Sequence, residues 1–138
     1  MLEYGTILET IKDIVSAVLE MDVDEIGDDS KLINELGLDS IDLLTMVSKI
    51  SKEFSVSYSI ANTMQRISER IEQTDSLDHQ GIIAILESEL HAKFKEQQMS
   101  FIEIAIQENL PGEQIAAELL TPQMIANQIH NLVQTGDE

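Results

Sequence analysis

Apolar residues recur at helical spacing through most of this chain. The first repeat runs from Ile7 to Leu19, and Thr6 and Glu9 at its start form the pattern of a capping box. We therefore predict a first helix whose apolar face is built from Ile7, Ile11, Ile14, Val15, Val18 and Leu19.

A second amphipathic repeat begins near Ser40 and ends at about Phe54. Its predicted apolar stripe consists of Leu43, Val47, Ile50 and Phe54, with Leu44 and Met46 on the borders. Between the two helices, residues 20–39 are polar and acidic and contain only scattered apolar anchors. We interpret this segment as a long, ordered loop.

Two further repeats predict helices over residues 60–71 and 82–94, with a turn at residues 73–77 between them. The next segment is ambiguous, because its isoleucines alternate as they would in a strand. Ser100 and Glu103 nevertheless fit a capping box, which favours a short helix.

The end of the chain predicts two more helices. A short one follows Pro111, and the last begins with Thr121 as N-cap and Pro122 as its first residue. The expected fold class is therefore all-α.

Charge narrows the choice of partners. The chain has 26 acidic and 8 basic residues, a formal net charge of −18, and the acids are spread along its whole length. This argues against nucleic-acid binding, because phosphates would be repelled, and it favours basic protein partners. The chain has no cysteine, no basic leader and no apolar run long enough to span a membrane, so we expect a cytoplasmic protein.

A calcium site in the acidic loop is disfavoured. Asp22, Asp24 and Gly27 match the first, third and sixth positions of a calcium-binding loop. The fifth and twelfth positions are Ile26 and Ile33, where oxygen ligands belong. We therefore predict no metal site.

Hydrolysis by Ser40 is also disfavoured. This serine does not stand in a G-x-S-x-G motif, and His79, His91 and His130 lie in distant helical segments without a recognisable partner pattern. A hydrolase would require one of these histidines within hydrogen-bond reach of Ser40. We predict no catalytic residue and therefore no enzyme.

Ser40 is placed well for modification. Ser40 could itself cap the second helix, because serine is among the best N-cap residues, and Asp39 is an equally good cap. If Asp39 caps the helix, Ser40 is its first residue, and a phosphate attached there would lie beside free N–H groups at the positive end of the helix dipole. Ile41 is then expected to be exposed next to the serine, where it could contact a visiting enzyme.

The stretch ELGLDSIDLL resembles the serine motif of acyl carrier proteins, with Ile41 in place of the usual leucine. Residues 7–54 resemble the first helix, long loop and second helix of that family, and residues 110–133 resemble its third and fourth helices. The resemblance implies that a phosphopantetheinyl transferase attaches 4′-phosphopantetheine to Ser40. It also implies partner contacts at Asp39, Ile41 and Asp42, and visits to acyl-transferring and chain-extending enzymes.

The chain departs from the family in two ways. Family members have a strongly acidic second helix that docks on basic patches of partner enzymes, whereas this chain has Thr45, Lys49 and Lys52 on that helix. In addition, about residues 57–107 stand between the family's second and third helices. We therefore expect one domain, residues 1–138, with a four-helix acyl-carrier-like bundle (1–56 and 108–134) and an inserted helical hairpin that serves docking or homodimerisation.

The sequence predicts an acyl carrier of a specialised fatty-acid or polyketide-type pathway. Gly37-Leu38-Asp39-Ser40 differs from the Gly-Gly-His-Ser entry usual in peptidyl carriers, which favours an acyl over an aminoacyl cargo. A D-alanyl carrier remains an alternative, as does an unmodified helical adaptor that kept the carrier fold.

Overall fold

The computed structural model describes residues 3–73, 78–91, 93–108, 110 and 112–135. These residues form helices joined by turns and loops, with no strand among them, so the all-α prediction is confirmed. The elements are α1 (Tyr4–Leu19), a short 3₁₀ helix (Val23–Glu25), α2 (Ser40–Phe54), α3 (Ile60–Gln73), α4 (His79–Leu90), α5 (Glu96–Gln107), α6 (Gly112–Leu119) and α7 (Pro122–Thr135).

Two predicted helix starts are confirmed by their caps. α2 begins at Ser40 with Asp39 as N-cap. In α7, the hydroxyl of Thr121 accepts a hydrogen bond from the Met124 N–H at 3.1 Å, and Pro122 is the first helical residue.

The capping boxes predicted at Thr6 and Ser100 are wrong, because both residues lie inside their helices. α1 begins at Tyr4, whose ring packs against the core and whose hydroxyl donates to the Gln123 carbonyl at 3.4 Å. This contact favours a helix that starts before Thr6. α5 begins at Glu96, and the preceding Lys95 N–H donates to the Gln98 side chain at 2.9 Å.

The predicted fourth helix is shorter than expected. α4 ends at Leu90, and His91 adopts the left-handed conformation with φ of 53°. Phe94 is buried beyond the helix end, where its N–H donates to the Glu87 carboxylate at 3.0 Å. Most of the predicted turn at 73–77, namely residues 74–77, lies outside the described residues, as does Pro111.

The first apolar cluster joins α1, α2 and α7. Its centre contains the fully buried side chains Ile7, Ile11, Val15, Met46, Ile50, Ile125, Ala126 and Ile129. α1 is the central helix of this bundle, because it packs against both α2 and α7.

The predicted ordered loop, residues 20–39, is held on this bundle by polar contacts. Lys12 of α1 pairs with Asp28 at 2.9 Å, and the Gln123 N–H of α7 donates to the Asp28 carbonyl, also at 2.9 Å. The Leu32 N–H donates to the Leu120 carbonyl at 3.0 Å. Leu32 and Ile26 are buried beneath these contacts.

A second apolar cluster joins α3, α4, α5, α6 and the start of α7. It contains Ile67, Leu86, Leu90, Phe94, Ile102, Ala105, Ile115, Leu119 and Met124. α6, which the resemblance assigns to the carrier core, packs against α3 and α5. The two clusters meet along α7, where Met124 belongs to the second and Ile125 to the first.

Candidate functional site: the N-terminus of α2

The turn before α2 fixes the start of the helix. Gly37 has a φ of 76°, a conformation that favours glycine, and it lets the chain turn from the loop toward the helix. Leu38 follows as a buried anchor whose N–H donates to the Leu32 carbonyl at 3.0 Å. The backbone is thus held by the core immediately before Asp39.

Asp39 and Asp42 form a reciprocal capping box. The Asp42 N–H donates to the Asp39 carboxylate at 2.8 Å, and the Asp39 N–H donates to the Asp42 carboxylate at 3.4 Å. Each carboxylate therefore has a structural role in addition to its charge.

Ser40 is exposed in the first position of α2. The first N–H groups of a helix have no carbonyl partner within it, and the helix dipole favours a negative charge at this end. The hydroxyl of Ser40 thus stands on an open surface beside backbone donors, and this arrangement suits a phosphodiester.

Two large apolar side chains extend from α2 into solvent beside Ser40. Ile41 is 74% exposed and Leu44 is 72% exposed, the highest values among the large apolar side chains in the described part of the chain. The predicted exposure of Ile41 is confirmed. Leu44 was predicted on the border of the buried stripe, and this is wrong because α1 covers only the opposite face of the helix.

The buried face of α2 also differs from the prediction at Met46. This side chain is fully buried together with Ile50, whereas Leu43 and Val47 are half-buried at the flanks. Met46 is thus at the centre of the helix contact and not on its border.

Two lysines lie on the exposed face of α2 toward its C-terminal end. Lys49 and Lys52 are exposed, and so is the neighbouring Glu53. Five other cationic side chains, Lys12, Lys31, Arg66, Arg70 and Lys93, pair with carboxylates. Among the described residues, no carboxylate forms an ion pair with Lys49 or Lys52.

The histidines have neighbours other than Ser40. The ring of His130 meets the ring of Tyr4 edge-on at 5.9 Å, and its Nε2 lies 3.1 Å from the Gln134 amide. His91 Nε2 lies 3.4 Å from the Asn131 amide. The described contacts therefore provide no imidazole base for Ser40, and the side chain of His79 lies outside them.

The described residues contain no group of His, Cys, Asp and Glu side chains that could hold a metal ion. None of their helices is long and apolar enough to cross a membrane.

Sequence reasoning missed a polar contact between the loop and α6. The Glu118 carboxylate accepts hydrogen bonds from both Lys31 and Asn34. Burial raises the pKa of Glu118. The hydrogen bonds from Lys31 and Asn34 lower it by more than burial raises it, so the pKa lies below the ordinary value of 4.5. The pKa of Lys31 is raised, chiefly by its bond to Glu118.

This contact borders an open cleft of about 340 Å³ between the loop, α5 and α7. Its wall includes Lys31, Lys95, Phe101 and Met124. Ser40 does not line this cleft. Ser40 therefore lies on the exposed surface and outside this cleft.

Comparison with known proteins defines the class. Residues 9–69 match the family model of the phosphopantetheine attachment site. The chain is 31% identical over 71 residues to "Acyl carrier protein AcpXL" of Mesorhizobium japonicum. The aligned residues make up 51% of this chain and 76% of that relative. It is 32% identical over 60 residues to "Acyl carrier protein" of Solidesulfovibrio magneticus, an alignment that covers 44% of this chain and 77% of the relative. It is 38% identical over 55 residues to "Acyl carrier protein" of the Aster yellows witches'-broom phytoplasma, with 40% of this chain and 72% of the relative covered. No solved structure matches significantly.

The helical fold and the matched attachment domain define a phosphopantetheine-dependent carrier. The chain belongs to the acyl carrier protein family. The match to the attachment-site model extends to residue 69, which lies within α3 and beyond the predicted start of the insertion at residue 57. The boundaries of the insertion stay a prediction.

Proposed function

We propose that this protein carries acyl groups as thioesters on a 4′-phosphopantetheine arm attached to Ser40. The observation that carries the proposal is the position of Ser40, exposed in the first turn of a capped helix within the matched attachment domain. The arm supplies a terminal thiol that holds the acyl group. The protein supplies the attachment oxygen, backbone donors near the phosphate and a surface on which partner enzymes dock.

Attachment requires a partner enzyme. The Ser40 oxygen forms a new bond to the phosphorus that bears pantetheine in coenzyme A, the pyrophosphate bond breaks, and the nucleotide half leaves. Ser40 must lose its proton to a base in this step. A phosphopantetheinyl transferase would supply that base, since the described contacts give Ser40 no imidazole.

We assign the partner contacts to Asp39, Ile41 and Asp42. The exposed Ile41 offers apolar surface directly beside the attachment point. Asp39 and Asp42 contribute negative charge there while they hold the helix start in place. Acyl-transferring and chain-extending enzymes would use the same contacts, and the carrier itself would catalyse no reaction.

The cargo and pathway are inferred from the departures from the family pattern. The motif at residues 37–40 favours an acyl cargo. Lys49 and Lys52 on α2 favour partners other than those of general fatty-acid synthesis, and hence a specialised fatty-acid or polyketide-type pathway. We also propose that residues 1–56 and 108–134 form the carrier core and that residues 57–107 are an insertion.

The test is the intact mass after incubation with coenzyme A and a broad-specificity phosphopantetheinyl transferase. The wild type should gain one phosphopantetheinyl group, and Ser40→Ala should gain none. Ser48→Ala is the matched control, because Ser48 is an exposed serine on the same helix, and it should gain one group like the wild type. A gain in Ser40→Ala would disprove the assignment of the serine.

The alternative function is an unmodified helical adaptor. The observation that favours it is the pair of exposed lysines on α2, Lys49 and Lys52, which form no ion pair with the described carboxylates and differ from the acidic docking helix expected of the family. The same mass measurement separates the two functions, since an adaptor would stay unmodified with a transferase that loads another acyl carrier protein in parallel.

A further inference from the structure

The exposed face of α2 is a continuous stripe that starts beside Ser40. The stripe consists of Ile41, Leu44, Thr45, Ser48, Lys49 and Lys52, all exposed. These positions follow the spacing of three and four residues that places side chains on one helix face. None of these six residues is acidic, although the chain carries 26 acids and 8 bases. The exposed Glu53 flanks the stripe beside Lys49 and Lys52.

The two lysines are separated from the attachment point by a fixed length of helix. At a rise of 1.5 Å per residue, Lys49 lies about 13 Å and Lys52 about 18 Å along the axis from Ser40. The acidic pair Asp39 and Asp42 lies at the other end of the helix. The stripe therefore runs from the acidic pair through apolar side chains to the two lysines, with Glu53 at its flank.

We infer that a partner enzyme that docks on α2 presents carboxylates opposite Lys49 and Lys52 and an apolar recess opposite Ile41 and Leu44. This inference rests on the proposed function, because it concerns the surface beside the same serine. Its polarity is the reverse of the basic partner patch that the family resemblance implies. In an acidic chain, cations without a carboxylate partner are the groups most available for an acidic surface on another protein.

Once α2 contacts the partner enzyme, nearby charges determine most of the electrostatic interaction between the two proteins. The Debye length at physiological ionic strength is about 8 Å, so distant acids of this chain are largely screened at the contact. The apolar pair supplies the buried area, and the lysines select the partner by charge complementarity.

The inference is tested with one transferase in two forms. The first is a broad-specificity phosphopantetheinyl transferase as isolated. In the second form, surface residues of the transferase that lie about 13–18 Å from its active-site entrance along the docked helix are changed to Glu. The rate of loading of Ser40 is measured with both forms at about 0.15 M salt.

The wild-type chain should be loaded faster by the acidic form, by roughly fivefold, as expected for two surface charge pairs. Lys49→Glu/Lys52→Glu should reverse this preference. Lys93→Glu/Lys95→Glu is the control: it makes the same change in net charge at two exposed lysines outside α2 and should keep the wild-type preference.

Each other outcome is decisive. Equal loading of the wild type by both forms, or an unchanged preference in Lys49→Glu/Lys52→Glu, would overturn the inference while the proposed function stands. Failure of both forms to load the wild type, when they do load another acyl carrier protein, would overturn the proposed function and this inference with it. Circular dichroism of the variants verifies that they are folded.

Discussion

The Asp39 carboxylate determines where α2 begins and thus where Ser40 lies. It accepts a hydrogen bond from the Asp42 N–H at 2.8 Å, and Leu38, the residue before Asp39, is buried. The sequence predicts a helix start near Ser40 and allows Asp39 as its cap, but the reciprocal bonds with Asp42 are not part of that prediction. At Thr6, where the sequence predicts a capping box, the helix instead begins earlier, at Tyr4.

We expect Asp39→Ala to destabilise the protein by about 0.5–2 kcal/mol, because the Asp42 N–H loses its side-chain acceptor at the helix start. Urea unfolding followed by circular dichroism measures this change. Asp39→Asn is the control, since it keeps a capping oxygen and should remain close to the wild type. A free energy of unfolding of Asp39→Ala equal to that of the wild type would contradict a structural role for this carboxylate.

The contact of Glu118 with Lys31 and Asn34 could not be predicted in this way. Lys31 and Glu118 are 87 residues apart in the sequence, and only the packing of α6 beside the loop brings them together. A single sequence contains no local signal for such a pair.

Glu118→Gln should lower the free energy of unfolding at neutral pH by less than about 1 kcal/mol, because Lys31 is partly exposed and solvent weakens the pair. The folded pKa of Glu118 is depressed, so the stabilisation is present above the ordinary value of 4.5. It is lost as the pH falls through the lower folded pKa. Urea unfolding of both proteins at pH 7 and at pH 3 should show a smaller difference at the acidic pH; a difference that grows on acidification would contradict the assignment.

At the scale of the element, α2 shows what periodicity can and cannot determine. Its ends at Ser40 and Phe54 agree with the sequence prediction. The buried face is less well predicted, because a stripe of apolar residues does not specify how far a neighbouring helix covers each flank. α1 covers Met46 and leaves Leu44 exposed.

Two substitutions on α2 test this assignment of faces. Met46→Ala should destabilise the protein by about 2–5 kcal/mol, because it removes a fully buried side chain and leaves a cavity. Leu44→Ala removes a side chain that is 72% exposed and should change stability by no more than about 0.5 kcal/mol. The free energy of urea unfolding measures both, and similar losses in the two variants would show that the faces are assigned wrongly.

At the scale of the whole molecule, two apolar clusters share one helix. α7 contributes Met124 to the second cluster and Ile125 and Ile129 to the first. The Gln128 side chain of α7 also donates to the Glu89 carbonyl of α4 at 3.4 Å. The sequence predicts the helices of both clusters, but it does not predict that α6 packs with the proposed insertion. That packing depends on contacts between segments distant in the chain.

The shared helix predicts that the two clusters unfold together. Both tyrosines of the chain belong to the first cluster, where Tyr58 is buried and Tyr4 packs at the edge, so tyrosine fluorescence reports on that cluster. Ile102→Ala removes a fully buried side chain from the second cluster and should cost about 2–5 kcal/mol. If α7 couples the clusters, this substitution shifts the urea transition seen by tyrosine fluorescence as much as the one seen by circular dichroism.

Ile11→Ala is the matched control, because it removes the same side chain from the centre of the first cluster and must shift the fluorescence transition directly. Coincident shifts in Ile102→Ala would mean that residues 57–107 are part of the cooperative unit that holds α7, and through α7 the bundle of α1 and α2. If Ile102→Ala does not shift the urea transition seen by tyrosine fluorescence, the second cluster unfolds independently of the first. The first cluster, which includes Tyr58 and Ile60 of the proposed insertion, could then fold without the packing of the second.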